Sequence, residues 1–365
     1  MRTVEVPVGP FPYKVHIGEG LAGSLGELPD VASLLKGRGV ALVSDQNVHR
    51  LHGEAMERGL ALAGAVIKVS YAFAPGEENK NFASLCGIWN ALVDGGVERK
   101  DLIVAFGGGV VGDVAGFAAA TYLRGVDFLQ VPTTLLAMVD SSVGGKTGID
   151  HPRGKNLIGA FHQPRAVVAD TDFLETLPRR EALSGLAEAI KAGILADADL
   201  FALLEKRGPG ILYDQDALLE AVAKSVKVKA HIVAEDEREG GVRALLNFGH
   251  TVGHAVEAAL GFSGLTHGEA VALGMGFATR LAAKSGMIER GGAGRILALL
   301  ENWGYPARAE GLRWEEIKKG FAFDKKKESG ETRWVLPLDI GRAQWGKVVD
   351  TVTVDLLLAE MQGAK

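Results

Sequence analysis

The stretch DLIVAFGGGVVGDVAGFAAATYLRG, residues 101–125, admits few folds. From Leu102 to Leu123 it is apolar enough to suggest a membrane span, yet it carries a cluster of glycines and Asp113. An acid in mid-bilayer costs about 3 kcal/mol, so a spanning helix is rejected. What remains is a β-rich run, a glycine turn and a small-residue helix. A strand that feeds a helix through a tight turn belongs to an α/β chain.

The neighbouring sequence extends that pattern. GVALVSD, AVIKVSY and VDFLQVPTT each read as a strand ending in turn or polar residues, with helical patterns between them, which implies a largely parallel sheet. The opening RTVEVPVG…YKVHIGEG alternates apolar and polar residues and reads as a hairpin at a sheet edge. Beyond about residue 172 the period changes. LLEAVAKSVKVKAHIVAED, ALLNFGHTVGHAVEAAL and GEAVALGMGFATRLAAKSG place apolar residues three and four apart, the spacing of helices. Only TRWVLPLDIG, late in the chain, suggests a strand pair. With 365 residues, 47% apolar, the chain is long enough for about two domains. The expectation is an α/β domain over 1–171 and a mainly α-helical domain over 172–365, with the active site in the cleft between them.

A net charge of −5 argues against broad attraction to nucleic acid or membrane, so any anion site has to be built locally. Cys86 is the single cysteine, which excludes an internal disulfide and an all-cysteine metal cage. The opening residues lack the apolar core of a signal peptide, and the expected location is the cytoplasm.

Within the first half, Gly107, Gly109 and Gly112 fit G-x-G-x-x-G after a strand and before a helix. Glycines there let the backbone approach a pyrophosphate, and the amides at the helix start attract its charge; a closely packed strand-to-helix turn would give the same letters. The acid about twenty residues on, Asp127, falls at a strand start and is badly placed for a ribose. Asp45, at the end of GVALVSD, is the better ribose candidate unless it only caps the next helix. A second loop, VDSSVGGKTGIDHPRGKNLIG, gathers Asp140, Lys146, Lys155 and Asn156 among glycines. Lysines on turns beside free amides can converge on one anion, although solvated surface lysines are the plain alternative.

In the second half, His250 and His254 lie four apart, on one face of a helix that Asn247 would join at i−3. His267 opens another helical pattern. Glu188 and Lys191 share a face of the otherwise apolar SGLAEAIKAGIL. A carboxylate and two imidazoles with an open position make a catalytic zinc set; satisfied core histidines and a buried Glu–Lys pair make the alternative.

Taken together, GGGVVGDVAGFAAATYLRG, QVPTTLLAMVDSSVGGKTGID, GKNLIGAFHQP, GLAEAIKAG, RALLNFGHTVGHAVE and HGEAVALGM resemble, in order, the 3-dehydroquinate synthase family. The resemblance implies a Rossmann-like NAD-binding domain and a helical domain carrying one divalent metal, zinc or cobalt. It also implies a homodimer and a sugar-acid phosphate substrate, with no nucleic acid or membrane partner. It places the metal on Glu188, His250 and His267, with His254 beside the substrate. It sets Gly108, Gly109, Asp113, Thr133 and Thr134 along NAD, with Asp45, Glu77 and Lys80 near the adenosine end and Lys146 and Lys155 also toward the cofactor. Asp140, Lys146, Asn156, Lys191, Lys229, Arg243 and Asn247 would line the substrate, joined by Lys325 or Lys326 from FDKKKESG. Arg124 would reach the phosphate of the partner subunit's substrate. Other sugar-phosphate cyclases and metal-dependent polyol dehydrogenases share the scaffold. Arg243 with Lys229 suits a substrate carboxylate and favours the dehydroquinate reading over the other cyclases, while the GGKTG…GKN loop has no purpose in a dehydrogenase.

Overall fold

The computed structural model describes residues 1–9, 12–261, 264–308, 314–321 and 332–363, and the chain forms two compact units, 1–178 and 179–365. The expected boundary after residue 171 moves to Pro178, because the turn at Thr171–Thr176 stays with the sheet. Phe173 is buried in the first unit's core, and the carboxylates of Asp170 and Asp172 accept from the amides of Ala22 and Gly20.

The first unit is a doubly wound α/β domain. Its strands are β1 (Arg2–Val6), β2 (Tyr13–Gly18), β3 (Gly39–Asp45), β4 (Val66–Phe73), β5 (Leu102–Gly107), β6 (Asp127–Pro132), β7 (Lys146–His151), β8 (Gly154–Phe161) and β9 (Val167–Asp170). The helices are α1 (Pro29–Leu35), α2 (Gln46–Leu62), α3 (Phe82–Asp94) and α4 (Gly109–Thr121). Seven strands form one sheet in the order β1-β2-β9-β6-β5-β3-β4, parallel except for β1, which pairs antiparallel with β2 at the edge. One face of the sheet buries Leu42, Leu129 and Phe106 with Leu35 of α1 and Leu60 of α2. The other buries Val43, Ile103 and Phe128 with Ile88 of α3 and Val114 of α4. With both faces covered, β5 is buried throughout, which is why LIVAF reads as an unbroken apolar run.

After β3 the chain winds outward to β4 and then returns to β5 on the other side of β3. In an open parallel sheet that switch point leaves a crevice at the carboxyl ends of the strands, where ligands bind. Asp45 ends β3, Gly107 ends β5 and Thr133 follows β6, so all three come to that edge. The lysine-rich loop is not a loop: β7 and β8 form an antiparallel hairpin. Glycine hides it in the sequence but shapes it, since a Cβ on Gly159 would lie 2.1 Å from the Thr147 carbonyl oxygen.

The second unit is mainly helical: α5 (Arg179–Ala196), α6 (Ala198–Arg207), α7 (Gln215–Glu235), α8 (His250–Ala259), α9 (His267–Lys284), α10 (Arg290–Asn302), α11 (Trp314–Phe321) and α12 (Thr351–Gly363), with the hairpin β10 (Trp334–Asp339) and β11 (Arg342–Lys347). None of the described helices is long and apolar enough to cross a membrane. Helix α9 packs against α5 and α8, and small residues set the spacing. A Cβ on Gly274 would sit 1.9 Å from the Gly249 carbonyl oxygen, and one on Gly268 would sit 2.1 Å from that of Ser184. Gly249 also has φ of +80°, which favours glycine independently of space.

Opposite outcomes are expected for two glycine-to-alanine substitutions. Gly274→Ala drives a methyl group into fixed backbone and should cost about 1–3 kcal/mol or more, together with bound metal. Gly294→Ala, on an exposed turn of α10 with nothing within 4 Å of the added carbon, should be neutral or stabilise by up to about 1 kcal/mol. Denaturant unfolding of both variants measures the contrast; equal losses would show that helix spacing is not what Gly274 supplies.

Candidate functional site

In the second unit, Glu188 comes from the middle of α5 and is 2% exposed. Its Oε1 lies 3.7 Å from Nε2 of His250 and 3.5 Å from Nε2 of His267. Donor atoms on a tetrahedral metal with bonds of 2.0–2.1 Å stand roughly 3.3 Å apart, so a small contraction around an ion would complete the set. Neither carboxylate oxygen of Glu188 accepts a well-directed hydrogen bond among the described residues, although the Lys191 ammonium lies against Oε2. Lys191 answers Oε2, while Oε1 faces the two imidazoles, and this carboxylate oxygen with two imidazole nitrogens fits a divalent metal.

Local structure aims each ring. His250 is the first residue of α8, and its Nδ1 donates to the Phe248 carbonyl at 3.1 Å, which turns Nε2 toward Glu188. His267 is the first residue of α9, held by a capping box between Thr266 and Glu269. Lys191, i+3 from Glu188, also donates to the Leu246 carbonyl at 2.8 Å and so ties α5 to the segment before α8.

Charge is steeply organised here. Burial would push the Glu188 carboxyl up, but Lys191 and His267 outweigh it and hold it near 2. For His267 burial acts to depress the ring, and the carboxylates of Glu188 and Glu257 overcome it, raising it to about 10.

The other expected residues of this unit are placed as follows. His254 is exposed one turn along α8, its ring 5.1 Å from that of His250 and 6.1 Å from that of His267. Arg243 is 2% exposed and donates to the Glu237 carbonyl. Lys229 is half-buried on α7, which packs against the Arg243 segment. Asn247 does not share the helix face of His250 and His254. It ends the short 3-10 segment Val242–Asn247, and the left-handed Gly249 turns the chain before α8 begins. Its side-chain nitrogen instead donates to Glu239 Oε1 at 3.1 Å. Lys325 and Lys326 lie outside the described residues.

Sequence reasoning passed over three residues of this unit. Asp236 accepts from the amides of Gly240, Gly241 and Arg243 at 2.7–3.0 Å and so folds the loop that carries Arg243. Glu239 has φ of +61° within that loop. Glu257 lies 3.5 Å from His267 Nδ1. Only Glu257 carried a readable signal, its i, i+4, i+7 spacing with His250 and His254.

In the first unit, Gly108 caps α4 without any side-chain bond, so the helix start is open to an anion. Gly107 and Gly112 serve packing, since added Cβ atoms would meet Val111 at 2.5 Å and Gln130 at 2.8 Å, whereas Gly109 has only the Ser141 hydroxyl near it. Thr133 has a buried hydroxyl with no partner among the described residues, and Thr134 accepts from the Ala137 amide at 3.2 Å. Asp45 caps α2, accepting from Asn47 and Val48, and both bonds fall on Oδ1. Lys80, 4% exposed, binds Asp113 Oδ2 at 2.6 Å and Asn156 Oδ1 at 2.5 Å; Asp113 and Glu77 keep its ammonium charged against its burial. Lys155 pairs with Glu77 at 3.3 Å. Asn156 thus joins the group around Lys80, in a left-handed conformation at φ +55°. Asp140 is half-buried in a π-helical segment, Ala137–Ser141, while Lys146 is exposed at the start of β7. Arg124 is exposed with φ of +66°.

Comparison with known proteins covers nearly the whole chain. The 3-dehydroquinate synthase N-terminal family model matches residues 70–184 and the C-terminal model matches 185–327. The 3-dehydroquinate synthase of Caulobacter vibrioides is 50% identical over 368 residues, which covers 99% of each chain. Among solved structures, 2-epi-5-epi-valiolone synthase from Streptomyces hygroscopicus, with NAD+ and Zn2+ bound, is 28% identical at a TM-score of 0.87, covering 97% of this chain and 98% of that one. A 2-deoxy-scyllo-inosose synthase, 24% identical at a TM-score of 0.88 and covering 98% and 100%, shares the fold.

The raised His267 pKa has a testable sign. Below about 10 the metal-free ring holds a proton that an incoming metal displaces, so at neutral pH metal uptake should release a proton, and affinity should tighten as pH rises toward that value. Calorimetry in buffers of different ionisation enthalpy measures the proton count. Uptake with no proton released at pH 7 would mean that His267 is already neutral.

Proposed function

Because the chain belongs to the 3-dehydroquinate synthase family, we infer that it converts 3-deoxy-D-arabino-heptulosonate 7-phosphate to 3-dehydroquinate and phosphate, as a carbon–oxygen lyase that uses NAD and one divalent metal, zinc or cobalt. The observation that carries this reading is the buried Glu188 carboxylate, whose Oε1 faces the Nε2 atoms of His250 and His267. When bound, NAD takes up and returns a hydride while the metal polarises the substrate oxygen that is transiently oxidised.

The chain's own residues do the positioning. The open start of α4 and the Thr133 hydroxyl offer donors to the NAD pyrophosphate. Lys191 balances the charge of Glu188 and keeps the carboxylate ionised for metal binding. Arg243 provides a fork for the substrate carboxylate, with Lys229 as a second cation, and His254 is exposed where it can hold or pass a proton. Asp140, Lys146 and Asn247 add polar contacts. The carboxylate clamp favours this substrate over those of carboxylate-free cyclases, and the curated relative stands at 50% identity against 28% for the valiolone synthase.

Oxidation followed by re-reduction leaves no net NADH. With substoichiometric NAD and the heptulosonate phosphate, the protein should release one phosphate per substrate while nicotinamide absorbance stays flat. Stoichiometric NADH without phosphate would make it a polyol dehydrogenase, and neither signal would make it a binding module.

We also propose a cytoplasmic homodimer in which Arg124 serves the neighbouring subunit's site. Leu123 and Arg124 are consecutive non-glycine residues at φ of +49° and +66°, both exposed, and strain of that kind persists where a side chain must be presented in one direction. The net charge of −5 supports a small anionic substrate rather than nucleic acid. Mixing Arg124→Ala chains with Glu188→Ala chains should restore part of the activity, because each mixed dimer regains one complete site. No recovery after verified subunit exchange would refute the shared arrangement.

A further inference from the structure

We propose that Glu257 is the positioning residue of the metal centre, holding His267 through Nδ1 so that Nε2 is presented to the ion. The inference rests on the metal-dependent reading above and adds to it a residue outside the ligand set.

The two ligand histidines face the same mechanical problem. An imidazole on a helix can rotate about its side-chain bonds, and it is pre-organised for metal only if its other nitrogen is tied down. His250 is tied by the Phe248 carbonyl beneath it, 3.1 Å from Nδ1. His267 opens α9; the group facing its Nδ1 is Glu257 Oε1 at 3.5 Å, while its Nε2 faces Glu188 at the same distance. The ring is therefore spanned by a carboxylate at each nitrogen. Glu257 is buried and sits two turns along α8 from His250, on the same face. Helix α8 thus contributes one ligand directly and orients a second ligand on α9. The close approach of the two helices at Gly249, Gly253 and Gly274 makes that reach possible, since a Cβ on Gly253 would already lie 3.0 Å from the Ala270 carbonyl oxygen.

His254, Glu257 and His267 also bring donor atoms within 4.8 Å of one another, so Glu257 has a rival role as the ligand of a second ion. Such an ion would compete for the His267 ring, which is already engaged by Glu188 at Nε2. The positioning role uses both nitrogens at once and requires no second charge.

The test uses the full chain, stripped of metal and titrated with Co2+ and Zn2+ against a chromophoric chelator. Glu257→Leu should weaken metal binding about 10–100-fold and shift the visible Co2+ absorption, with one ion still bound per chain. Glu257→Gln, which keeps an oxygen acceptor and nearly the same volume, should retain most of the affinity. Thermal unfolding and NAD affinity, which report on the fold and on the other unit, should stay close to wild type in Glu257→Gln. Wild-type affinity and an unchanged Co2+ spectrum in Glu257→Leu would overturn the inference, as would two ions in the wild type and one in both variants. If the wild type itself takes up no metal, it is the metal-dependent reading that fails.

Discussion

The candidate metal centre depends on how near three helix backbones can come to one another. Glu188, His250 and His267 lie on α5, α8 and α9, and their donor atoms converge only because glycine occupies the contacts. At Gly274 and Gly268 a single methyl group would overlap a carbonyl oxygen of the neighbouring segment. Widening either contact would move an imidazole away from the Glu188 carboxylate, and metal geometry tolerates only a few tenths of an ångström. The apolar packing of this unit and its chemistry are therefore one requirement: α9 is buried by Val271, Met275, Phe277 and Leu281 along the same helix that His267 begins.

Electrostatics follows from that convergence. Glu188 is desolvated, so it stays ionised through Lys191 and His267, and the carboxylates of Glu188 and Glu257 in turn favour the protonated His267 ring. The first unit handles buried charge by the same rule with different residues. Lys80 is charged inside the domain because Asp113 and Glu77 face it, and Asn156 closes the group from the β7–β8 hairpin. Removing one partner from either cluster leaves an uncompensated buried charge, which costs more than the pair itself contributes.

Much of this was legible along the chain. Unbroken apolar runs ending in glycine or polar residues marked the central strands of a parallel sheet, because burial on both faces removes the alternation that an exposed face would impose. Glu188 and Lys191 read correctly as one helical face, since i,i+3 is a local relation. Asn247 did not, because the non-helical Phe248 and the left-handed Gly249 interrupt a periodicity that continues in the letters. The β7–β8 hairpin was hidden by its glycines, which lower strand propensity while allowing the close cross-strand contact that the hairpin uses. Asp45 could be read as ribose ligand or helix cap, and the structure supplies the cap.

By itself the sequence determined the α/β and helical halves, the glycine turn at a strand end and the family. Those are local or whole-chain properties: hydrophobic period, turn chemistry and the order of motifs. Tertiary structure alone decided that donors on α5, α8 and α9 meet within 4.8 Å, that Asn156 bonds to Lys80, and that Glu257 faces His267 from a different helix. These are contacts between residues on different elements. Their distances are set by helix spacing and side-chain packing, and a one-dimensional period carries no record of either.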